Sequence, residues 1–498
     1  MELQFNKQVQ HCLHRVIREY QTQEQTQELR LPEGMPDIGT VLACWGQVIL
    51  RGKEWRSETV GVSGGVTAHV IYLPEGGGAA QSVEAWLPFQ MKWNIPQTEH
   101  DGSIVVLPQL RSADARCLSA RKLMIRTNIG VMLEAVVQGD VELYTVDSVD
   151  DDIQLLKRTY RLRVPREAGE RGFQIDEDLE LSSADPKPEQ ILRFSLQPEI
   201  IEKKLMADKA VFRGMGILHV LYRGEDGQLS SKDFDVPFSQ YGELEGEYRQ
   251  EDTLQVIPVV TNLELEMLQD GQLHLKAGVT GQYMVYDGLE TELIEDAYSV
   301  TRSVTPMISQ LLLPNVLDMN TQTVRVHAEA GVDMHRSADA AFWPEQSYLG
   351  REGDDIAADL SGTFQLLYYD PDGQLQSVMT RWEEPWQMFA DEDVTVQMLQ
   401  MPSGKVRVNP VGGGSMQTDL QLELMTWKEN GLPMVTGLMI GDEKEPDPDR
   451  PSLILQKAGN QNLWELAKKS GSTVEAIQKA NKLQQDPSPE QTLIIPVL

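Results

Sequence analysis

The chain has 498 residues, and at roughly 150 residues per domain this length corresponds to about three domains, each able to bury its own core. Asp and Glu outnumber Lys and Arg by 76 to 44, and the resulting net charge of −32 repels phosphate backbones and anionic lipid surfaces, which excludes nucleic acid as a partner. With 41% hydrophobic and 24% charged residues, the composition is that of a folded chain rather than a disordered one.

The opening segment, residues 1–30, lacks the apolar core and small-residue cleavage site of a signal peptide. No later stretch approaches the roughly 18 consecutive apolar residues of a membrane-spanning helix. Both features point to the cytoplasm. Val9, Leu13, Val16, Ile17 and Tyr20 fall near one face of a helix, so a helical arm packed on the first domain is expected over 1–30. Cys12, Cys44 and Cys117 are odd in number and lack C-x-x-C spacing, as suits small apolar residues in a reducing compartment. His11 and His14 are three apart but have no evident third ligand, so no metal is expected.

A long repeat follows. Val66 to Gly77, Gly216 to Gly227 and Gly362 to Gly373 align on Tyr72, Tyr222 and Tyr368, each with a glycine five positions after the tyrosine. A β-branched and aromatic run closed by such a glycine is a strand entering a tight turn. Pro88-Phe89, Pro237-Phe238 and Pro385-Trp386 lie about sixteen residues beyond each tyrosine, where a residue without an N–H suits a strand end or sheet edge. The tyrosines are 150 and 146 residues apart, too far for a solenoid unit of about 20 to 50 residues, so whole domains are repeated.

A second alternating strand comes late in each copy, clearest in Leu273, Leu275, Ala277 and Val279. The fold class expected is multidomain and mainly β: three tandem sandwich or barrel-like repeats, strung as beads, plus a small C-terminal module. The first repeat is placed at 31–150, a linker at 151–188, the second repeat at 189–305 and the third at 306–436. An acidic, proline-rich linker over 437–452 leads to the module at 453–498.

The module carries a charge of +1 and everything before it −33, which marks an independent unit. Its pattern is strand, helix, helix, strand. Ser472-Thr-Val-Glu475 reads as a capping box opening the second helix, and Gly471 as the end of the first. Leu463, Trp464, Leu466, Ala467, Val474, Ile477, Ala480 and Leu483 are its expected core. At helical spacing with Ala467, Trp464 reads as a core residue rather than a stacking platform, and Asn481 as a helix-end hydrogen-bonding residue.

Leu463-Trp464-Glu-Leu-Ala467, Ser472 to Leu483 and Leu493-Ile-Ile-Pro496 together resemble a LysM module, a βααβ fold. The resemblance implies a groove for N-acetylglucosamine polymers between two loops. Matching positions are Gly459, Asn460, Gln461 and Asn462 on one side, and Leu483, Gln484 and Gln485 on the other. The family's Gly-Asp-Thr-Leu-Trp is here one residue longer and without the aspartate, which alters the donors and acceptors that would orient a sugar. Leu31-Pro-Glu-Gly-Met-Pro-Asp-Ile38, the three β-rich repeats and the terminal LysM resemble the SipL-type spore coat assembly proteins with SPOCS domains. That resemblance implies a mother-cell protein recruited to the forespore surface, whose LysM module docks a coat-basement morphogenetic ATPase and whose repeats engage other coat proteins. Binding to peptidoglycan of the wall or cortex is the alternative.

Catalysis finds no assembled site in the sequence. Gly61-Val-Ser63-Gly-Gly65 matches G-x-S-x-G but runs directly into a strand, without the helix that a nucleophile elbow requires. Gly214-Met-Gly216 lacks the third glycine of a dinucleotide fingerprint. His69 and His219 occupy equivalent positions, but the third copy has Gln365, which fits a hydrogen-bonding sheet residue and not a shared base. A scaffold with no catalytic residue, metal or cofactor is therefore expected.

Overall fold

The computed structural model describes residues 2–99, 102–269, 271–345, 349–445, 451–483, 485 and 487–498. Antiparallel strands make up the body, as the alternating patterns predict, and two short helices sit in the C-terminal module. A short β1 (Glu2–Gln4) precedes the first repeat, which comprises β2 (Asn6–Arg30), β3 (Ile38–Arg56), β4 (Thr59–Pro74), β5 (Gln81–Asn94), β6 (Ser103–Ser119) and β7 (Lys122–Thr145). The second comprises β8 (Ile153–Leu179), β9 (Pro188–Gly224), β10 (Leu229–Tyr248), β11 (Thr253–Met267) and β12 (Leu273–Ser299). The third runs β13 (Arg302–Glu329), β14 (Arg336–Glu345), β15 (Gly350–Glu352), β16 (Asp355–Tyr369), β17 (Leu375–Phe389), β18 (Thr395–Gln400), β19 (Arg407–Asn409) and β20 (Ser415–Glu443).

Each repeat follows one plan. Its first and last strands pair along their length (β2 with β7, β8 with β12, β13 with β20), and β6, β11 and the β18 and β19 pieces extend these ribbons into sheets. The strands between form a second sheet, and each repeat closes a core of its own between the two. The hairpin that opens the second sheet turns on a left-handed residue in all three copies: Ser57 (φ 48°), Ala207 (φ 53°) and Gly353 (φ 65°). These turns keep the 150 and 146 residue spacing of the tyrosines. In the second copy the turn lies inside β9, which doubles back so that Gly214 lies against Glu199. The repeated tyrosines are buried, and Tyr72 donates its hydroxyl to Pro36 O at 3.0 Å, fastening the Leu31 to Ile38 turn that Arg121 also holds through Pro32 O, Met35 O and Asp37.

Four expectations are corrected. Residues 6–30 form a strand, not a helical arm. A bulge between Arg15 and Ile17 leaves Val16 unpaired and shifts the period-two phase, so apolar positions 9, 13, 16, 17 and 20 imitate helical spacing. The expected linker at 151–188 contains β8, whose charged residues pair across to β12, with Lys157 to Glu292 at 2.9 Å and Arg161 to Glu290 at 3.5 Å, while Leu162 and Val164 are buried behind them. Its charges are one face of a ribbon. Of the linker expected at 437–452, residues 437–443 belong to β20, and 446–450 lie outside the described residues. The third Pro-aromatic pair is out of register with the others: Pro88 and Pro237 face the equivalent Gly65 and Met215, but Pro385 faces Asp359, two residues displaced.

The repeats are also not beads. Ile71, Leu221 and Leu367, each beside its repeat tyrosine, point away from their own cores and join Leu42, Leu192 and Ala338 in one shared cluster. Ser82 Oγ donates to Leu192 O and the equivalent Ser377 Oγ to Leu42 O, both at 2.5 Å, while Arg193 and Asp339 join the second repeat to the third. Every repeat thus touches the other two. The three long ribbons meet again through Cys12, Leu162 and Leu311, and β1 pairs with β20, tying the first residues to the third repeat.

Candidate functional site

The C-terminal module consists of β21 (Leu453–Lys457), α1 (Leu463–Ser470), α2 (Val474–Asn481) and β22 (Thr492–Pro496), with β21 antiparallel to β22. Asn462 caps α1, its side-chain oxygen accepting from Glu465 N–H at 2.8 Å, and Gly471 (φ 64°) ends it, its N–H donating to Ala467 O. Thr473, not Ser472, caps α2, accepting from Ala476 N–H at 3.1 Å; Ser472 is fully buried, one position too early for the role. Leu463, Leu466, Ala467 and Ile477 are buried with Leu493 and Ile495, whereas Ala480 is exposed because α2 turns that face outward.

The first loop named by the sequence meets the stretch just before β22. Gly459 (φ 61°) donates its N–H to Pro489 O at 2.9 Å and Ala458 to Gln491 O at 2.9 Å, which seats the first loop against the stretch before β22. Asn460, Gln461, Asn462 and Gln485 are exposed, and Leu483 is half-buried, its N–H bound to Gln478 O. Gln484 lies outside the described residues. The residues that meet the first loop are therefore Pro489 and Gln491, and the Pro487-Ser-Pro489 turn is the signal that could have found them. Asn481 stitches α2 to β22: Nδ2 donates to Ile477 O at 2.9 Å and Ile494 O at 2.6 Å, and Oδ1 accepts from Ile494 N–H at 2.8 Å.

Trp464 is neither pure module core nor a free platform. Its Nε1–H donates to Asp296 Oδ2 at 2.8 Å, and its ring meets Tyr298 edge-on, with centroids 4.8 Å apart. Lys468 Nζ reaches both oxygens of Asp296, at 2.7 and 2.8 Å, and Tyr298 donates its hydroxyl to Ser472 O at 3.0 Å. Burial, reinforced by the Asp296 charge, pushes the Tyr298 hydroxyl up to about 12, so it stays a donor. Helix α1 is thus fastened to the end of β12, leaving the loops outward. Nothing in sequence spacing connects Asp296 and Tyr298 to a helix some 170 residues later.

The remaining candidates have structural places. Ser63 sits inside β4, paired to Gly52 and Gln90, and Gly214 and Gly216 lie within β9. His11 Nδ1 lies 2.6 Å from Asp140 at the surface, and His14 Nε2 lies 3.5 Å from Cys12 Sγ; among the described residues no three His, Cys, Asp or Glu side chains cluster as a metal site. His69 is buried and pushed down to about 3, chiefly by that burial and then by Arg193. Its equivalent His219 lies between Asp233 (2.6 Å) and Asp339 (2.7 Å), and Gln365 is buried.

Residues 187–268 match the family model for the SipL SPOCS domain, and residues 457–496 match that for the LysM domain. The first spans β9 to β11 of the second repeat, and the second covers nearly all of the terminal module. No curated protein and no solved structure matches the chain. Neither matched family is catalytic, and among the described residues no helix is long and apolar enough to cross a membrane. The matches thus put a SPOCS-type domain in the second repeat and a LysM-type module over residues 457–496.

Proposed function

We propose that this protein is a non-catalytic scaffold of spore coat assembly, acting in the mother-cell cytoplasm and recruited to the forespore surface. Its LysM module docks a coat-basement morphogenetic ATPase, and its three repeats engage other coat proteins. The SPOCS and LysM matches support the sporulation setting. One observation favours a polypeptide over a sugar as the module's ligand: Trp464, the aromatic that could stack on a sugar ring, is spent on Tyr298 and Asp296. The docking surface is the exposed loop carrying Gly459, Asn460, Gln461 and Asn462, together with Leu483 and Gln485, and its attachment to a rigid body lowers the ordering cost of docking. The body's acidity adds steering toward basic partner surfaces.

Capture of the coat ATPase is compared between the full chain and one ending at Asp449. Recovery by the full chain alone supports the docking role, and equal recovery overturns it. The exposed amides of Asn460, Gln461 and Gln485 favour a second reading, peptidoglycan binding, because amides match the donors and acceptors of N-acetylglucosamine. Saturable binding of N-acetylglucosamine oligomers to the full chain, lost in Asn460→Ala/Gln461→Ala, would establish that reading instead.

A further inference from the structure

Where the three repeats converge, a cavity of about 450 Å³ opens, within the size range of small-molecule sites. All three copies build its wall: Trp45 and Pro108 from the first, Arg193 and Pro258 from the second, Asp339 and Trp343 from the third. One of these residues, Arg193, has donor capacity that the protein leaves unused. Arg193 is 4% exposed, lies 4.2 Å over the Trp45 ring, and makes one hydrogen bond among the described residues, Nε to Asp339 at 2.7 Å. Its guanidinium carries five N–H donors. Trp45 is 2% exposed, and its ring serves as the support on which the guanidinium lies. Asp339 is paired with both Arg193 and His219, and the wall carries Arg193, Lys232 and Lys405 against Asp233 and Asp339, so its net charge favours an incoming anion.

We propose that this cavity binds a small carboxylate-bearing molecule with a flat apolar body. The carboxylate accepts from the Nη groups of Arg193, whose guanidinium the Trp45 ring backs, replacing the acceptors that the fold does not supply. The apolar body lies among Trp343, Pro108 and Pro258, which offer flat, mainly apolar surface. Such a ligand touches all three repeats, so it binds only the assembled body and stabilises it by mass action.

Benzoate serves as the probe and acetate as its truncated counterpart, titrated calorimetrically into the full chain. Benzoate is expected to saturate one site per chain and raise the melting temperature, with acetate at least about tenfold weaker. Arg193→Met/Asp339→Asn removes the buried charges together, so neither is left unpaired, and is expected to weaken benzoate by at least about tenfold. Should that variant fail to fold, Arg193→Lys keeps the charge beside Asp339 and removes the forked pair of donors, and is expected to weaken binding about three- to tenfold. No saturation by about 10 mM benzoate, or affinity unchanged in the folded variant, overturns the proposal.

Discussion

Trp464 of α1 gives its indole hydrogen to Asp296 at the end of β12, across a boundary that separates the LysM module from the second repeat. The bond joins a neutral donor to a carboxylate, the stronger class of hydrogen bond, and the Tyr298 ring shields it. The module is therefore an oriented part of the body and not a tethered bead.

A double-mutant cycle tests this junction. Trp464→Phe keeps the ring contact and removes the donor, while Asp296→Asn removes the charge. Each is expected to cost about 1.5 to 3 kcal/mol, with a coupling of at least about 0.5 kcal/mol, read from hydrogen exchange of residues 453–498 under increasing denaturant. Lys468 contributes less than about 1 kcal/mol of this, since its side chain is 43% exposed. Additive effects of the two changes would mean that Trp464 and Asp296 act separately.

The shared apolar cluster predicts that the repeats fold as one cooperative unit. Ile71 has no solvent exposure, and its neighbours there include residues of the other two repeats. Ile71→Asp places an unpaired carboxylate in that cluster and is expected to cost at least about 3 kcal/mol. Urea unfolding should show a single transition moved to lower denaturant for all three repeats together. A transition confined to the first repeat would argue for independent domains.

Much of this was legible in the chain, and the misreadings share a cause. The strands around Tyr72, Tyr222 and Tyr368 are continuous apolar runs, His-Val-Ile-Tyr, His-Val-Leu-Tyr and Gln-Leu-Leu-Tyr, not alternating ones. Continuous runs belong to strands buried on both faces, which marks them as the meeting surface of the repeats. Residues 6–30 and 153–179 are polar because each lies at a ribbon edge with one partner strand, and that polarity reads as an arm or a linker when the partner, more than 90 residues later, is unknown. In the module, local signals placed the helices, and the cap at Thr473 was missed by one residue because Ser472 is also a capping type.

Buried His69 gives the body a specific acid sensitivity. Its pKa is depressed to about 3 by burial, so the folded state holds it neutral while the unfolded chain protonates near 6.5. Below the unfolded value the unfolded state binds the extra proton, and stability falls as pH drops from about 6.5 toward 3. Between pH 7 and pH 5 the loss is about 2 kcal/mol. His69→Gln, the residue type at the equivalent position 365, removes this proton uptake, so its stability should decline less over that interval. His219 works in the opposite sense. Burial alone would depress it, but Asp339 and Asp233 outweigh burial and Arg193 and raise it, so its contribution is present below about 6.5 and fades as pH rises. His219 is common to both proteins, and the difference between their pH profiles isolates His69. Parallel profiles would show that His69 is not buried as a neutral group.

Two asparagines of the module separate folding from recognition. Asn481 makes three hydrogen bonds that join α2 to β22, so Asn481→Ala strands backbone groups of Ile477 and Ile494 and is expected to cost about 1 to 3 kcal/mol, seen as faster hydrogen exchange within 453–498. Asn460 is exposed on the loop that Gly459 seats against Pro489, and Asn460→Ala should change stability by less than about 0.5 kcal/mol. If the loops form the docking surface, Asn460→Ala weakens partner capture at unchanged stability, whereas Asn481→Ala weakens capture only as far as it unfolds the module. Capture unaffected by Asn460→Ala and by the matching Gln461→Ala and Gln485→Ala changes would move the docking surface away from these loops, leaving the exposed Leu453, Leu455 and Ile494 face of the β21 and β22 sheet as the place to look.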